Sequence, residues 1–177
     1  MAKAKVSQLT YADLEALPDD NRYELIDGAL LVSASPSTAH QDAVRNLLLL
    51  LHAACPQGHR VYTAPLDWYV DNRNVYVPDV LVARRDDLTE RNLVRPPVLA
   101  IEVLSPSTRS VDLVRKRAAY ERAGLAHYWI VDPVLPAVTV LELAGGRLVE
   151  AATAKGDEVL AVERPFPVRV VPGQLLQ

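Results

Sequence analysis

The fold of this chain is decided by two apolar stretches of strand length, Val75-Tyr76-Val77-Pro78-Asp79-Val80-Leu81-Val82-Ala83 and Val98-Leu99-Ala100-Ile101-Glu102-Val103-Leu104-Ser105. Each stretch carries one acidic residue near its middle. An ionised carboxylate in an apolar strand costs several kcal/mol unless a cation or hydrogen-bond donors meet it. Asp79 and Glu102 are therefore predicted to share a partner. A divalent cation such as Mg2+ is the simplest one, because Mg2+ takes oxygen ligands and is usually held by one or two carboxylates.

Composition sets the outer limits of the function. The 177 residues predict one domain, 1–177, and half of them are apolar, as in an ordinary soluble globular protein. No apolar run is long enough to span a bilayer, and the first eight residues lack a signal-peptide pattern. The single Cys55 fits a reducing cytoplasm. The net charge of -3 gives no global basic surface for nucleic acid, so any such binding must be local.

The order of helical and strand patterns predicts an α/β (α+β) fold with a mixed sheet. Residues 60–70 and the run at Val75 read as an antiparallel hairpin, with prolines at 65 and 78 that distort it. A helix from Val111 to about Ala123 separates the strand of Glu102 from residues 126–132. Those two strands are therefore predicted to be parallel, through a right-handed crossover. Hairpins are predicted in the N-terminal and the C-terminal parts of the chain.

Glu24 lies in the predicted N-terminal hairpin. Asp27-Gly28 between two apolar runs is a strong turn signal, and it places Glu24 opposite Leu31. By alternation, Glu24 shares a face with Ile26. The simpler interpretation of Glu24 is a charge on an edge strand that prevents aggregation.

Two basic side chains are predicted to face inward from helices. His40 lies on the apolar arc of a long helix that starts at residues 35–38, where it could orient a ligand or phosphate at the helix N-terminus. A core histidine bonded to a backbone carbonyl is an equally good interpretation. Lys116 falls on the buried arc of the helix after Glu102, with Tyr120 on the same arc, and should point toward that strand. The alternative is a lysine that extends past its apolar neighbours to solvent. Leu49, on the opposite face of the His40 helix, is a hint of a subunit contact.

Two acids and a lysine form a minimal set for phosphodiester hydrolysis. Carboxylates hold one or two metal ions, which polarise the phosphoryl group and activate water, and the lysine positions that water or stabilises charge. Competing sets are weak, because the chain has no glycine-rich phosphate loop. Its histidines also lack the spacing of zinc ligands.

The ordered set of motifs resembles the Uma-type family of bacterial restriction-endonuclease-like proteins, in the PD-(D/E)XK nuclease superfamily. The residues that carry the resemblance are Tyr23-Glu24-Leu25-Ile26-Asp27-Gly28, the helix near His40, Pro78-Asp79, Ile101-Glu102-Val103-Leu104-Ser105-Pro106-Ser107, Lys116, Tyr120 and Tyr128-Trp129-Ile130-Val131-Asp132-Pro133. The resemblance implies a restriction-endonuclease-like core of helix, three-stranded antiparallel meander, helix and strand.

The resemblance also implies a Mg2+- or Mn2+-dependent nuclease site. Asp79, Glu102 and Glu24 would be metal ligands and Lys116 the catalytic lysine. His40, Tyr120 and Arg109 are further candidates for contacts with the substrate or with the metal ligands. One departure matters, because the superfamily lysine normally lies two residues after the glutamate, and that residue here is Leu104. Lys116 would then be a lysine that has migrated to the next helix.

The function predicted from the sequence is that of a metal-dependent endonuclease that acts on DNA. The protein is expected in the cytoplasm and is not expected to bind a membrane. The alternative from another class is a non-catalytic module that binds nucleic acid or protein on the same fold. A metal-dependent hydrolase of nucleotides or RNA is a third interpretation. A homodimer is also predicted, since cutting both strands usually requires two sites.

Overall fold

The computed structural model describes residues 8–18, 21–105 and 111–177. Its helices are α1 (Tyr11–Glu15), α2 (Thr38–Ala54) and α3 (Arg117–Arg122), with a π-helical segment, Val111–Lys116, directly before α3 and 3-10 turns at Arg85–Asp87 and Pro172–Leu176. The strands are β1 (Arg22–Ile26), β2 (Ala29–Ser33), β3 (His59–Thr63), β4 (Asp67–Asp71), β5 (Asn74–Tyr76), β6 (Val80–Arg84), β7 (Asn92–Leu93), β8 (Leu99–Val103), β9 (His127–Asp132), β10 (Ala137–Ala144), β11 (Arg147–Lys155), β12 (Leu160–Val162) and β13 (Val168–Val170). None of the helices in these ranges is long and apolar enough to cross a membrane.

The central sheet is mixed, as predicted. Its strand order is β11-β10-β9-β8-β6-β3, with β8 parallel to β9 and the other neighbours antiparallel. The parallel pair follows from the helix that connects the two strands, because such a connection returns the chain to the same end of the sheet. A second sheet has the order β2-β1-β5-β4-β7, and β12 pairs with β13. The predicted N-terminal and C-terminal hairpins are β1–β2 and β10–β11.

Two prolines divide the predicted central hairpin between the two sheets. The run 60–70 breaks at Pro65 into β3 and β4, and the run from Val75 breaks at Pro78 into β5 and β6. Proline has no N–H to donate to a ladder, so each strand ends there and resumes in another direction. The outer halves pair as β4–β5 in one sheet, and the inner halves pair as β3–β6 in the other. The pairing was predicted correctly, but the division into two sheets was not.

Helices cover both faces of the central sheet. Helix α2 packs on one face through Ala43, Leu47 and Leu51, which belong to one buried cluster with Val80 and Ile101. Helix α3 packs on the other face, where its buried side chains meet a second cluster that includes Leu81, Ala100, Ala119 and Tyr120. Alternation along β6 and β8 separates these two sets of residues. Glu102 shares the face of Ala100, so its side chain is directed toward α3.

The two predicted helices begin and end close to their expected positions. Ser37 caps α2 by accepting the N–H of His40, and the predicted outward residue Leu49 is 62% exposed. The helix predicted from Val111 is π-helical up to Lys116 and α-helical afterwards. It stops at Gly124, whose φ of 76° is left-handed.

Candidate active site

Lys116 forms the centre of a buried ion-pair cluster. Its ammonium Nζ lies 2.9 Å from Oε1 of Glu102 on β8 and 2.9 Å from Oε2 of Glu24 on β1. The backbone N–H of Val77 donates to the other oxygen of Glu24 at 2.8 Å. Glu24, Glu102 and Lys116 are all 1% exposed or less. Three elements that are distant in sequence therefore bring two acids and one lysine to a single point.

Tyr120, on the helix that follows Lys116, orients the side chain of Glu102. Its hydroxyl donates to Oε1 of Glu102 at 2.6 Å, and its ring packs among the rings of Trp68, Tyr76 and Tyr128. Burial raises the pKa of Tyr120 well above its ordinary value, and the negative charge of Glu102 raises it further. The hydroxyl consequently keeps its proton and remains a donor to the carboxylate.

Asp79 lies between β5 and β6, where its carboxylate meets the backbone of β8. The ladder pairs Val80 with Ile101, and Oδ2 of Asp79 accepts the N–H of Val103 at 2.8 Å. Its other oxygen is 2.6 Å from a guanidinium nitrogen of Arg22. Oδ2 also lies 3.3 Å from Nε2 of His40.

Charge in this region is balanced among several groups. Burial by itself would raise the pKa of Asp79, but the hydrogen bond from His40 and the charge of Arg22 outweigh it and hold that pKa well below its usual range. Burial would likewise lower the pKa of Arg22, but the negative charges of Asp79, Glu102 and Glu24 raise it. At neutral pH the carboxyl group of Asp79 is therefore ionised and the guanidinium of Arg22 is charged.

The structure decides between the interpretations of three side chains. Glu24 is not an edge-strand charge, because β1 lies between β2 and β5 and the side chain is fully buried. Lys116 does not extend to solvent, since it is only 1% exposed. His40 faces the carboxylate of Asp79, so the interpretation as a core histidine bonded to a backbone carbonyl is not supported by its Nε2 contact. Tyr120 joins the same site, whereas Arg109 lies outside the described residues.

Arg22 is a site residue that was not predicted from the sequence. Its side chain meets Asp79 across 57 positions of sequence. A signal for it was present, because the alternation that gives Glu24 and Ile26 a common face gives Arg22 the same face. The pattern could therefore place Arg22 on the inner face, but it could not name the partner.

A cavity of about 390 Å3 opens beside the carboxylate cluster. Asp79 and Val103 line it, whereas Glu24, Glu102 and Lys116 do not. The remaining wall comes from the start of β1, the segment between β2 and α2, the first turn of α2 and the end of β3; its residues include Arg22, Ser33, Ser35, His40, Gln41, Thr63 and Pro65. A ligand in this cavity would reach Asp79 first.

The donor set is compatible with a divalent cation held by two carboxylates. Asp79 and Glu102 each lie one residue beyond the paired residues Val80 and Ile101, at the same end of the β6–β8 ladder. Mg2+ typically takes one or two carboxylates with water and phosphate oxygens. No group of three or more His, Cys, Asp or Glu side chains within residues 8–18, 21–105 and 111–177 is arranged to hold a metal on its own. Both oxygens of Glu24 already contact Lys116 and the N–H of Val77. The pair Asp79 and Glu102 is thus the part of the predicted ligand set that fits best.

The site lies within a stretch that matches a known family. The family model Uma2, described as "Putative restriction endonuclease", matches residues 10–172. The chain belongs to the Uma2 family. The match includes every element that contributes a side chain to the site, from β1 to α3, and it confirms the resemblance seen in the sequence.

One solved structure shares the Uma2 fold described above. It is the crystal structure of a protein titled "a putative nuclease belonging to DUF820" from Anabaena variabilis ATCC 29413. The TM-score is 0.73 at 19% sequence identity, over 95% of this chain and 97% of that one. The predicted fold class is thereby confirmed. No curated protein matches the chain.

Proposed function

We propose that this Uma2 protein is a metal-dependent endonuclease that hydrolyses phosphodiester bonds in DNA. Membership of the family supports a nuclease-like function. The observation that carries the proposal is the position of Lys116, whose ammonium is 2.9 Å from Glu102 although it comes from the following helix. This contact supports the proposal that Lys116 is the lysine of the hydrolytic set, migrated from the strand of Glu102 to the following helix. The proposal also takes residues 1–177 as a single domain that contains the site.

Each side chain has a distinct role in the proposed reaction. Asp79 and Glu102 would hold Mg2+ or Mn2+, which supplies charge for the phosphoryl group and lowers the pKa of a bound water. Lys116 stabilises negative charge that develops on the phosphoryl oxygens. Tyr120 orients Glu102 by its hydrogen bond. Glu24 holds Lys116 in place through its ion pair, and its predicted role as a further metal ligand stays a prediction.

The proposed enzyme acts on DNA in the cytoplasm as a homodimer. The feature that favours a subunit contact is Leu49, an apolar side chain 62% exposed on the outer face of α2. Sedimentation of the wild type and of Leu49→Glu tests the dimer. A wild-type dimer that becomes a monomer on this substitution would support it, and a wild-type monomer at all concentrations would exclude it.

Cleavage of supercoiled plasmid tests the proposed activity. Wild type is compared with Asp79→Asn and Lys116→Met in Mg2+, in Mn2+ and in EDTA, and circular dichroism checks that each variant is folded. Arg115→Gln is the matched control, because Arg115 is exposed on the same helical segment. We expect metal-dependent nicking by the wild type and the control, and none by the two site variants. Parallel reactions with single-stranded DNA and RNA define the substrate class.

The outcome also separates the enzyme from a binding module. If the wild type cuts nothing under any metal but retains a plasmid or RNA in a gel-shift assay, the non-catalytic interpretation replaces the endonuclease. If only RNA is cut, the hydrolase interpretation stands with a different substrate. Equal cleavage by wild type and Lys116→Met would remove Lys116 from the mechanism.

A further inference from the structure

Three buried polar atoms without hydrogen-bond partners surround the cavity beside Asp79. They are Nε of Arg22, Oγ of Ser33 and Nδ1 of His40, and none has a partner among the residues that the structure describes. All three residues line the cavity. Ser33 is 9% exposed and His40 is 7% exposed. A buried polar atom without a partner costs free energy, so three of them around one cavity indicate a polar ligand.

The chemistry of two of these atoms, Nε of Arg22 and Oγ of Ser33, favours an anion. Arg22 is permanently charged, and its guanidinium offers only donors, one of which already meets Asp79. The hydroxyl of Ser33 can donate as well. The cavity also includes the N-terminal turn of α2, a helix of 17 residues, whose dipole and leading N–H groups attract negative charge.

The negative charge of Asp79 does not prevent an anion from binding there. Its oxygens already accept from Arg22, from the N–H of Val103 and from Nε2 of His40. Because an ionised carboxylate only accepts, Nε2 of His40 carries a proton toward Asp79. In the neutral imidazole Nδ1 is then an acceptor, which suits a water or hydroxyl that accompanies the anion.

We propose that this cavity binds a phosphate group of a nucleic-acid backbone, through Nε of Arg22, the hydroxyl of Ser33 and the N-terminal turn of α2. The inference rests on the proposed function, since Asp79 connects the cavity to the hydrolytic site. A phosphate held here neighbours the one that is cut and sets the position of the strand. Arg22 and Ser33 are thus positioning residues in the proposed reaction.

Phosphate binding is measured without metal and without cleavage. Inorganic phosphate is titrated into 15N-labelled protein in metal-free buffer, with chloride at matched ionic strength as the reference titration. We expect saturable shifts of the amide signals of Thr38, Ala39 and His40, which form the first turn of α2. Phosphate shifts that chloride reproduces, or that do not saturate, would overturn the proposal.

Variants test the named side chains. Ser33→Ala removes a hydroxyl that has no hydrogen-bond partner among the described residues, so the fold should be kept, and the Kd for phosphate should rise roughly threefold to tenfold. Arg22→Gln should raise the Kd about tenfold or more, as expected for the loss of a charge-assisted hydrogen bond. Arg60→Gln makes the same change of charge at an exposed residue and should leave the Kd within about twofold. An unchanged Kd in Ser33→Ala would show that the Ser33 hydroxyl does not bind phosphate. Equal effects of Arg22→Gln and Arg60→Gln would overturn the proposal that phosphate binds in this cavity.

Competition identifies the source of the phosphate. A short single-stranded oligodeoxynucleotide, with and without a 5′ phosphate, is added to the phosphate-loaded protein. Displacement by both forms is expected for a backbone phosphate. Displacement by the phosphorylated form alone, or by neither, would overturn the assignment to the backbone. If the protein binds phosphate but cuts no nucleic acid, the phosphate site stands and the proposed nuclease function fails. If it cuts nucleic acid but does not bind phosphate, the nuclease function stands and the phosphate site fails.

Discussion

Lys116 lies 2.9 Å from Glu102 although it is 14 positions further along the chain and on a different element. Its ammonium is also 2.9 Å from Glu24, so one cation separates two buried carboxylates. Neither acid is more than 1% exposed. Removing one member of a buried charge cluster is costly, because the remaining charges have no solvent to replace it. Breaking the contact that defines the proposed hydrolytic site should therefore also destabilise the fold.

Lys116→Met should destabilise the protein by about 3–5 kcal/mol, since it leaves Glu24 and Glu102 buried without their cation. The triple variant Glu24→Gln, Lys116→Met and Glu102→Gln should recover at least half of that loss. Its amide oxygens still accept from the N–H of Val77 and the hydroxyl of Tyr120. Urea denaturation followed by circular dichroism gives the free energies of unfolding.

Arg115→Met is the control for this experiment. Arg115 is exposed, so the substitution should change the free energy of unfolding by no more than about 0.5 kcal/mol. If Lys116→Met were as mild as the control, the ion-pair cluster would contribute nothing to stability. If the triple variant were less stable than the single one, uncompensated charge would not be the cause of the loss.

The sequence predicted the parts of this site that depend on local periodicity. The helical wheel placed Lys116 inward, and the Asp27-Gly28 turn set Glu24 opposite Leu31, as the β1–β2 register shows. The helix between β8 and β9 fixed their parallel pairing. Each of these predictions uses a spacing of a few residues or a connection of known length.

Long-range relationships were not available from the sequence. Prolines at 65 and 78 signalled distortion, but a proline does not say whether a strand bends within one sheet or passes to another. Arg22 has the periodicity of an inner residue, yet arginine on a strand is most often exposed. Its partly buried position depends on Asp79, which only the assembled sheets bring to it.

Tyr120→Phe should remove the hydrogen bond to Glu102 and keep the aromatic packing. The expected loss is about 1.5–3 kcal/mol, as for a hydrogen bond to a charged group. Tyr76→Phe is the matched control, because that ring packs against Tyr120 and its hydroxyl bonds to a neutral partner, Oδ1 of Asn74. The control should lose about 0.5–1.5 kcal/mol. A larger loss in the control, measured by urea denaturation, would contradict the assigned role of the Tyr120 hydroxyl.

Mg2+ should stabilise the folded protein if Asp79 and Glu102 hold it. At a concentration about tenfold above its Kd, a ligand of the folded state adds about 1.4 kcal/mol. Differential scanning calorimetry should therefore show a higher Tm in Mg2+ than in NaCl of equal ionic strength, reversed by EDTA. Asp79→Asn should show no such increase. An equal increase in both proteins would place the binding of Mg2+ elsewhere.

Asp79 should make the protein sensitive to acid. Its pKa is lowered in the folded state, because the His40 hydrogen bond and the charge of Arg22 outweigh burial. The unfolded chain therefore takes up a proton first as the pH falls. The stability that Asp79 contributes is complete above the unfolded pKa of about 3.9 and is lost as the pH falls toward the lower folded pKa.

Urea denaturation at a series of pH values from about 6 to about 2 measures this dependence. The free energy of unfolding of the wild type should fall more steeply below pH about 4 than that of Asp79→Asn, which has no proton to take up at this position. Asp157→Asn changes an exposed acid and should keep the wild-type slope. If Asp79→Asn and the wild type lost stability in parallel, Arg22 and His40 would not stabilise the ionised form of Asp79. The proposed site would then have no ionised carboxylate facing the cavity.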